Sequence, residues 1–219
     1  MLVENPILNS PFDEPSRYWA YEEGQPVLVE GRRPAGYYLK ARTRGPQAAL
    51  LEEGFVPLEL VNTIRERVKD WREQGYPGVT SITRQLLNHW NNPERRLYFC
   101  QREATETLIW LVEASPAERQ GISIPKDNGL TRYACKMATG SGKTVVMGMV
   151  IAWQVLNKLA NPKDRRFSDA VLMVCPNLTI RERLQVLLPW KPNNYYEKFD
   201  LLPRGMMERL QQGKFAITN

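Results

Sequence analysis

The stretch that most constrains how this chain can fold is MATGSGKT, Met137–Thr144. It stands between a short apolar run, RYACKM (Arg132–Met137), and the long apolar run TVVMGMVIAWQVLNKL (Thr144–Leu159). Glycines at 140 and 142 let the backbone curl so that successive N–H groups face one anion. A helix opening beside Gly142 adds the positive end of its dipole. Lys143 is a point charge able to reach β- and γ-phosphates, and the Thr144 hydroxyl is of the type that ligates Mg²⁺. Met137, Ala138, Thr139, Gly140, Ser141, Gly142, Lys143 and Thr144 are therefore expected to cradle ATP. Lys143 and Thr144 are the expected catalytic pair, with Thr144 on the metal. The competing reading is a glycine-rich turn without function.

The context of the loop sets the fold class. RYACKM has strand length, and the following helix is apolar on nearly every side, as a helix inside a layered fold must be. NPKDRRFSD is a polar connection. AVLMVC (Ala170–Cys175) is a continuous apolar run, the pattern of a strand covered on both faces. NLTIRERLQVLL reads as a helix and KFAIT (Lys214–Thr218) as one more strand. Strand, helix, strand, helix, strand implies an α/β parallel sheet with helices on both faces, a P-loop NTPase arrangement. The expected division is an N-terminal extension over 1–91 and an ATP-binding lobe over 92–219.

The extension has a different grammar. Residues 1–57 carry turn signals every few positions, with short strands expected at Pro26–Glu30 and Gly36–Ala41. Phe12, Tyr18, Trp19, Tyr21, Tyr37 and Tyr38 argue against disorder and for packing on a neighbouring domain, base stacking being the alternative. From Leu58 to Gln74 the spacing turns helical, with Val61, Ile64, Val68 and Trp71 on one face. Gly75-Tyr76-Pro77-Gly78 ends that helix. Thr80 or Ser81 caps a second helix carrying Ile82, Leu86, Leu87 and Trp90. RRLYFCQREATETLIWLVEAS reads as a third, with Ala104, Leu108, Leu111 and Val112 inward.

The net charge of +6 is spread without a basic run, so it permits a polyanionic partner without requiring one. Three separated cysteines, Cys100, Cys135 and Cys175, show no zinc or disulfide spacing and suit a reducing cytoplasm. No apolar run approaches the ~20 residues of a membrane span. A single histidine, His89, removes His-based metal sites and dyads, and it is expected on a helix surface.

MATGSGKT resembles motif I of superfamily 2 helicases, in the form found in restriction-enzyme translocases. Met137 stands where Gly or Ala is usual. LYFCQREATETLIWL is similar to the glutamine element that lies upstream on a helix in this superfamily. Gln101 has an amide able to contact the N6/N7 edge of adenine, the competing reading being an exposed helix glutamine. VLMVCPNLTIRERL looks like motif Ia, where a strand end and helix start touch a nucleic-acid backbone. It implies contacts from Pro176, Asn177, Thr179 and Arg181. KFAITN resembles the strand leading into the next such contact. The order is similar to type III restriction Res subunits of the DEAD/DEAH type, with residues 92–219 carrying the specific match. NPILNSPFDEP and EGRRPAGYY look like the N-terminal extension of one bacterial branch.

The resemblance implies an ATP-driven DNA translocase coupled to restriction, with DNA as partner, a methyltransferase or other defence subunit beside it, and no membrane. No Asp-Glu box, second lobe, arginine finger or nuclease set occurs within the sequence. The expectation is the front part of a longer protein that binds ATP without turning it over. Asp164, Asp169 and Asp200 are the acids downstream of the loop. A P-loop kinase or other small NTPase, and a non-catalytic nucleotide-binding module, stay open as alternatives.

Overall fold

The computed structural model describes residues 7–22, 25–38, 55–94, 97–125 and 131–219. Contacts divide the chain into two compact units, Met1–Asp70 and Trp71–Asn219.

In the first unit, β1 (Arg17–Glu22) pairs antiparallel with β2 (Gln25–Glu30), Trp19 standing opposite Leu28. β3 (Gly36–Tyr38) pairs antiparallel with β4 (Phe55–Pro57), and the Tyr38 and Phe55 rings meet edge to face at 5.4 Å. The expected strand at Gly36–Ala41 is present as β3, and its last three residues lie outside the described residues. β1 and β4 went unread because turn residues flank them closely. Tyr18 and Trp19 are half-buried, and Tyr21, Tyr37 and Tyr38 are exposed. Helix α1 (Glu59–Glu73) is clipped to the start of β3 by Asn62. Its side chain accepts from the Ala35 N–H at 2.7 Å and donates to the Ala35 carbonyl at 3.1 Å.

The second unit is organised around one helix. α2 (Ser81–Trp90), α3 (Phe99–Glu113) and two single-turn helices, α6 (Tyr195–Lys198) and α7 (Met207–Leu210), pack on α4 (Lys143–Ala160). Thr80 caps α2 by accepting from the Thr83 N–H, as the sequence leads one to expect. Gly148 lies mid-helix in α4, where glycine weakens a helix by about 1 kcal/mol relative to alanine. A Cβ there would stand 3.1 Å from Leu201 and 3.5 Å from Leu187, so its absence lets these side chains close on the helix. Trp90 donates to the Leu201 carbonyl at 2.8 Å and completes that core.

The inward face of α3 is not the expected one. Thr105, Glu106, Ile109, Trp110 and Glu113 are buried with Leu111, while Ala104, Leu108 and Val112 are only half-buried. The reason is polar pairing. Glu106 takes both Arg72 (2.7 Å) and the Tyr76 hydroxyl (2.7 Å). Glu113 accepts from the Thr80 N–H at 2.8 Å, the Thr83 hydroxyl at 2.6 Å and Trp153 Nε1 at 2.6 Å. Asn157 of α4 joins this cluster, donating to Thr83 at 2.8 Å and accepting from the Thr80 hydroxyl. His89 also departs from its expected surface position. Its side chain is 9% exposed, with Nε2 2.7 Å from the Asp200 carbonyl.

Among the described residues, parallel pairing is limited to β5 (Ala170–Val174) and β6 (Lys214–Thr218), in register from Ala170 opposite Lys214 to Val174 opposite Thr218. Two expectations are corrected. Arg132–Met137 is in no ladder among the described residues, and Arg132 through Lys136 are exposed. A strand needs a neighbour to take its N–H and C=O groups, and no described strand pairs with this segment. Nor is β5 covered on both faces. Met173 is buried, whereas Leu172 and Val174 on the opposite face are 65% and 69% exposed. The sheet with helices on both faces is thus represented by two strands packed on one side.

Candidate functional site

The loop of Met137–Thr144 runs from the extended segment into the first turn of α4. Gly140 and Gly142 take φ of +82° and +80°, the left-handed region that glycine enters without strain. Ser141 closes the turn: its N–H and its hydroxyl both donate to the Ala138 carbonyl, at 3.3 and 2.7 Å. The first turn of a helix leaves its N–H groups without intrahelical partners. Those of Gly142, Lys143 and Thr144 make no hydrogen bond among the described residues. Nothing stands within 4 Å of the position a Gly140 Cβ would take, so the outer side of the loop is open.

Lys143 folds back over this opening. Its ammonium donates to the carbonyls of Met137 (3.1 Å) and Ala138 (2.8 Å) while staying exposed to solvent. The Thr144 hydroxyl is half-buried and has no hydrogen-bond partner among the described residues. Free donors, a cation and a free hydroxyl at a helix start are the donor set that a polyphosphate with Mg²⁺ requires. Among the described residues there is no cluster of three His, Cys, Asp or Glu that could hold a metal by itself.

Gln101 is brought to the loop. It is the third residue of α3, 5% exposed, and both ends of its amide are engaged with backbone. Oε1 accepts from the Tyr98 N–H at 3.0 Å, and Nε2 donates to the Ser141 carbonyl at 3.0 Å. Cys100 Sγ approaches the same carbonyl at 4.0 Å. Behind the loop, a groove of about 470 Å³ runs between Met137 and the open side of β5. Val146, Met147 and Val150 of α4 line it, as do Lys143 and Val174. The loop and the end of β5 therefore border one groove.

Pro176, Asn177, Thr179 and Arg181 all lie at the surface beyond the end of β5. Asn177 caps α5 (Leu178–Leu184) by accepting from the Ile180 N–H at 2.9 Å. The Cys175 N–H donates to the Thr218 carbonyl at 2.9 Å, which holds this segment beside the end of β6. The downstream acids are committed elsewhere. Asp164 pairs with Arg166 at 2.7 Å, Asp169 with Lys214 at 3.2 Å, and Asp200 lies at the His89 turn. Asp164 and Asp169 follow the far end of α4, about 27 Å from its start at 1.5 Å per residue. The Arg166 side chain and N–H hold the Asp164 carboxyl below its usual range.

Residue spacing alone does not indicate that α3 meets the loop at Ser141. The glutamine three residues after Tyr98 was the available clue, since a residue at that helical position reaches back to the N-cap. No curated protein and no solved structure matches this chain. The family model described as type III restriction enzyme, res subunit, matches residues 94–206, just over half of the chain. The matched span starts just before α3 and takes in the phosphate loop, α4, β5 and α5. The loop geometry and the family match thus fall on the same elements, and the chain belongs to the type III restriction enzyme Res-subunit family.

Proposed function

We propose that the second unit binds ATP with Mg²⁺ as part of a helicase-like module that moves on DNA in a restriction system. The observation that carries this reading is the loop: three free N–H groups at the start of an 18-residue helix, with Lys143 poised over them. Backbone donors of Gly142, Lys143 and Thr144 bind the phosphates. Lys143 exchanges its two carbonyl partners for phosphate oxygens, and Thr144 supplies a hydroxyl to the metal. ATP supplies the phosphoryl group whose transfer powers movement. Lys143→Ala removes charge-assisted bonds, so calorimetry with MgATP should show affinity falling by about 10- to 100-fold. Equal affinity for parent and variant would refute the nucleotide site.

DNA is assigned to Pro176, Asn177, Thr179 and Arg181 at the end of β5, where backbone and short polar side chains face solvent. Such contacts read phosphate and not bases, so binding should be insensitive to sequence and should weaken steeply with salt. With Asp164, Asp169 and Asp200 engaged elsewhere, no described carboxylate stands ready beside Thr144, and the 219-residue chain should hold ATP without DNA-stimulated turnover. The same reading extends to a cytoplasmic setting with a modification methyltransferase or other defence subunit as partner, and the family match supports DNA as a partner. No helix among the described residues is long and apolar enough to cross a membrane.

A further inference from the structure

We propose that the first unit carries a contact for single-stranded DNA, made by the Tyr38 ring on β3 and by a basic cleft that continues from it towards α1. The inference goes beyond the reading above, which concerns the second unit. Its residues precede the span that matches the Res-subunit family.

Side chains of paired strands alternate between two faces. Gly36, Tyr38, Phe55 and Pro57 share one face of the β3–β4 pair, and Tyr37 and Val56 share the other. The Phe55 ring lies over Gly36, where a Cβ would stand 2.2 Å from it. The same ring meets Tyr38 edge to face at 5.4 Å, and Tyr38 remains 55% exposed. A ring held at one side and open to solvent can stack on a base, whatever base it is. Bases of a duplex are already stacked on their neighbours, so such a ring favours single strands.

The cleft begins where this face ends. Pro57, the last residue of β4, lines it, as do Arg33 and Pro34 just before β3. Its volume is about 450 Å³, within the range of pockets that hold one small ligand. Arg32, Arg33, Arg65 and Lys69 bring four positive charges into it, against the carboxylates of Glu14, Glu59 and Glu66. Glu14 stands between Arg32 at 3.8 Å and Lys69 at 3.4 Å. Arg33 is exposed and makes no hydrogen bond or ion pair among the described residues. Its planar guanidinium suits two oxygens of a backbone phosphate. Five residues separate Arg33 from Tyr38, at most about 17 Å of chain, so one short strand can touch both. The two hydrogen bonds between Asn62 and Ala35 fix the chain between them against α1, so ring and cation keep their spacing. A base next to a phosphate is the repeating unit of a nucleic-acid strand, and a ring next to a guanidinium is its counterpart.

The test uses the whole chain, without nucleotide, and a dye-labelled oligothymidylate followed by fluorescence anisotropy. Tyr38→Ala is expected to weaken binding by about fivefold or more, the value of one lost stack. Tyr38→Phe keeps the ring and should bind as the parent does. Tyr37→Ala removes a comparably exposed ring from the opposite face and should leave affinity unchanged. An equal loss there would make the effect one of hairpin stability and overturn the proposal. Arg33→Ala should weaken binding about fivefold at 0.1 M salt. It should also flatten the slope of log affinity against log salt by about 0.7, the share of one single-strand phosphate. Unchanged affinity in either Tyr38→Ala or Arg33→Ala overturns the proposal and leaves this surface to a protein partner. Photo-crosslinking with a bromodeoxyuridine oligonucleotide separates this contact from the one at the end of β5. Adducts at Tyr38 or Phe55 are expected. Adducts confined to Pro176–Arg181 overturn the contact proposed here and leave the assignment at β5 standing. A parent chain that does not bind the oligothymidylate overturns the proposal outright.

Discussion

The second unit contains two regions whose burial ended opposite to their polarity. Around Glu113, residues of α2, α3 and α4 close a polar cluster inside a hydrophobic core. Around β5, an apolar strand keeps one face in solvent and, among the described residues, pairs along one edge only. Glu113 is 3% exposed, while Leu172 and Val174 are above 60%. Hydrophobicity does not separate them, since a glutamate is inside and a leucine outside. Partners do. Glu113 meets three donors from its surroundings, whereas β5 has β6 on one side and an apolar groove on the other. Burial of a polar group is tolerated when its hydrogen bonds are made, and an apolar strand stays exposed when nothing described covers it.

The largest test of this contrast is Glu113→Ala. It leaves the buried Thr83 hydroxyl and Trp153 Nε1–H without their acceptor, and chemical denaturation should show a loss of about 3–5 kcal/mol. A loss under about 1 kcal/mol would mean that water reaches the cluster. The neighbouring Glu106 site should respond to pH. Burial, and then the charge of Glu106, push the Tyr76 phenol well above its ordinary value. A folded value raised above the unfolded one stabilises fully below about pH 10, and that contribution is lost as pH rises further, by up to about 1.4 kcal/mol per unit. Urea midpoints between pH 9 and 11 should therefore fall, and Tyr76→Phe should fall less steeply. Parallel slopes would remove Tyr76 from the account. The smallest effect is expected at the open face. Leu172→Ser with Val174→Thr should shift stability by less than about 0.5 kcal/mol. A loss of 2 kcal/mol or more would show that this face is covered in solution.

The elements readable from sequence were those with local causes. The loop needs glycines at φ near +80°, and only Gly140 and Gly142 offer them between the apolar runs. The cap at Thr80, the helix of Lys143–Ala160 and the runs that became β5 and β6 follow from spacing and propensity in the same way. The inward face of α3 could not be read, because Glu106 and Glu113 become core residues only when Arg72, Tyr76, Thr83 and Trp153 arrive from other elements. Arg132–Met137 failed for the complementary reason: a strand is defined by its neighbour, and sequence pattern cannot supply one.

By itself, the sequence determined the phosphate loop, the long helix that opens from it and the Res-subunit family, since each depends on residues close together in the chain. Tertiary structure decided where Gln101 points, which carboxylates are buried and which face of β5 stays open. Those outcomes depend on which donors and apolar surfaces reach a given atom from elements as far as 40 residues away, such as Gln101 and Ser141. Such distant pairings determine burial and hydrogen bonding, and composition and spacing are silent about them.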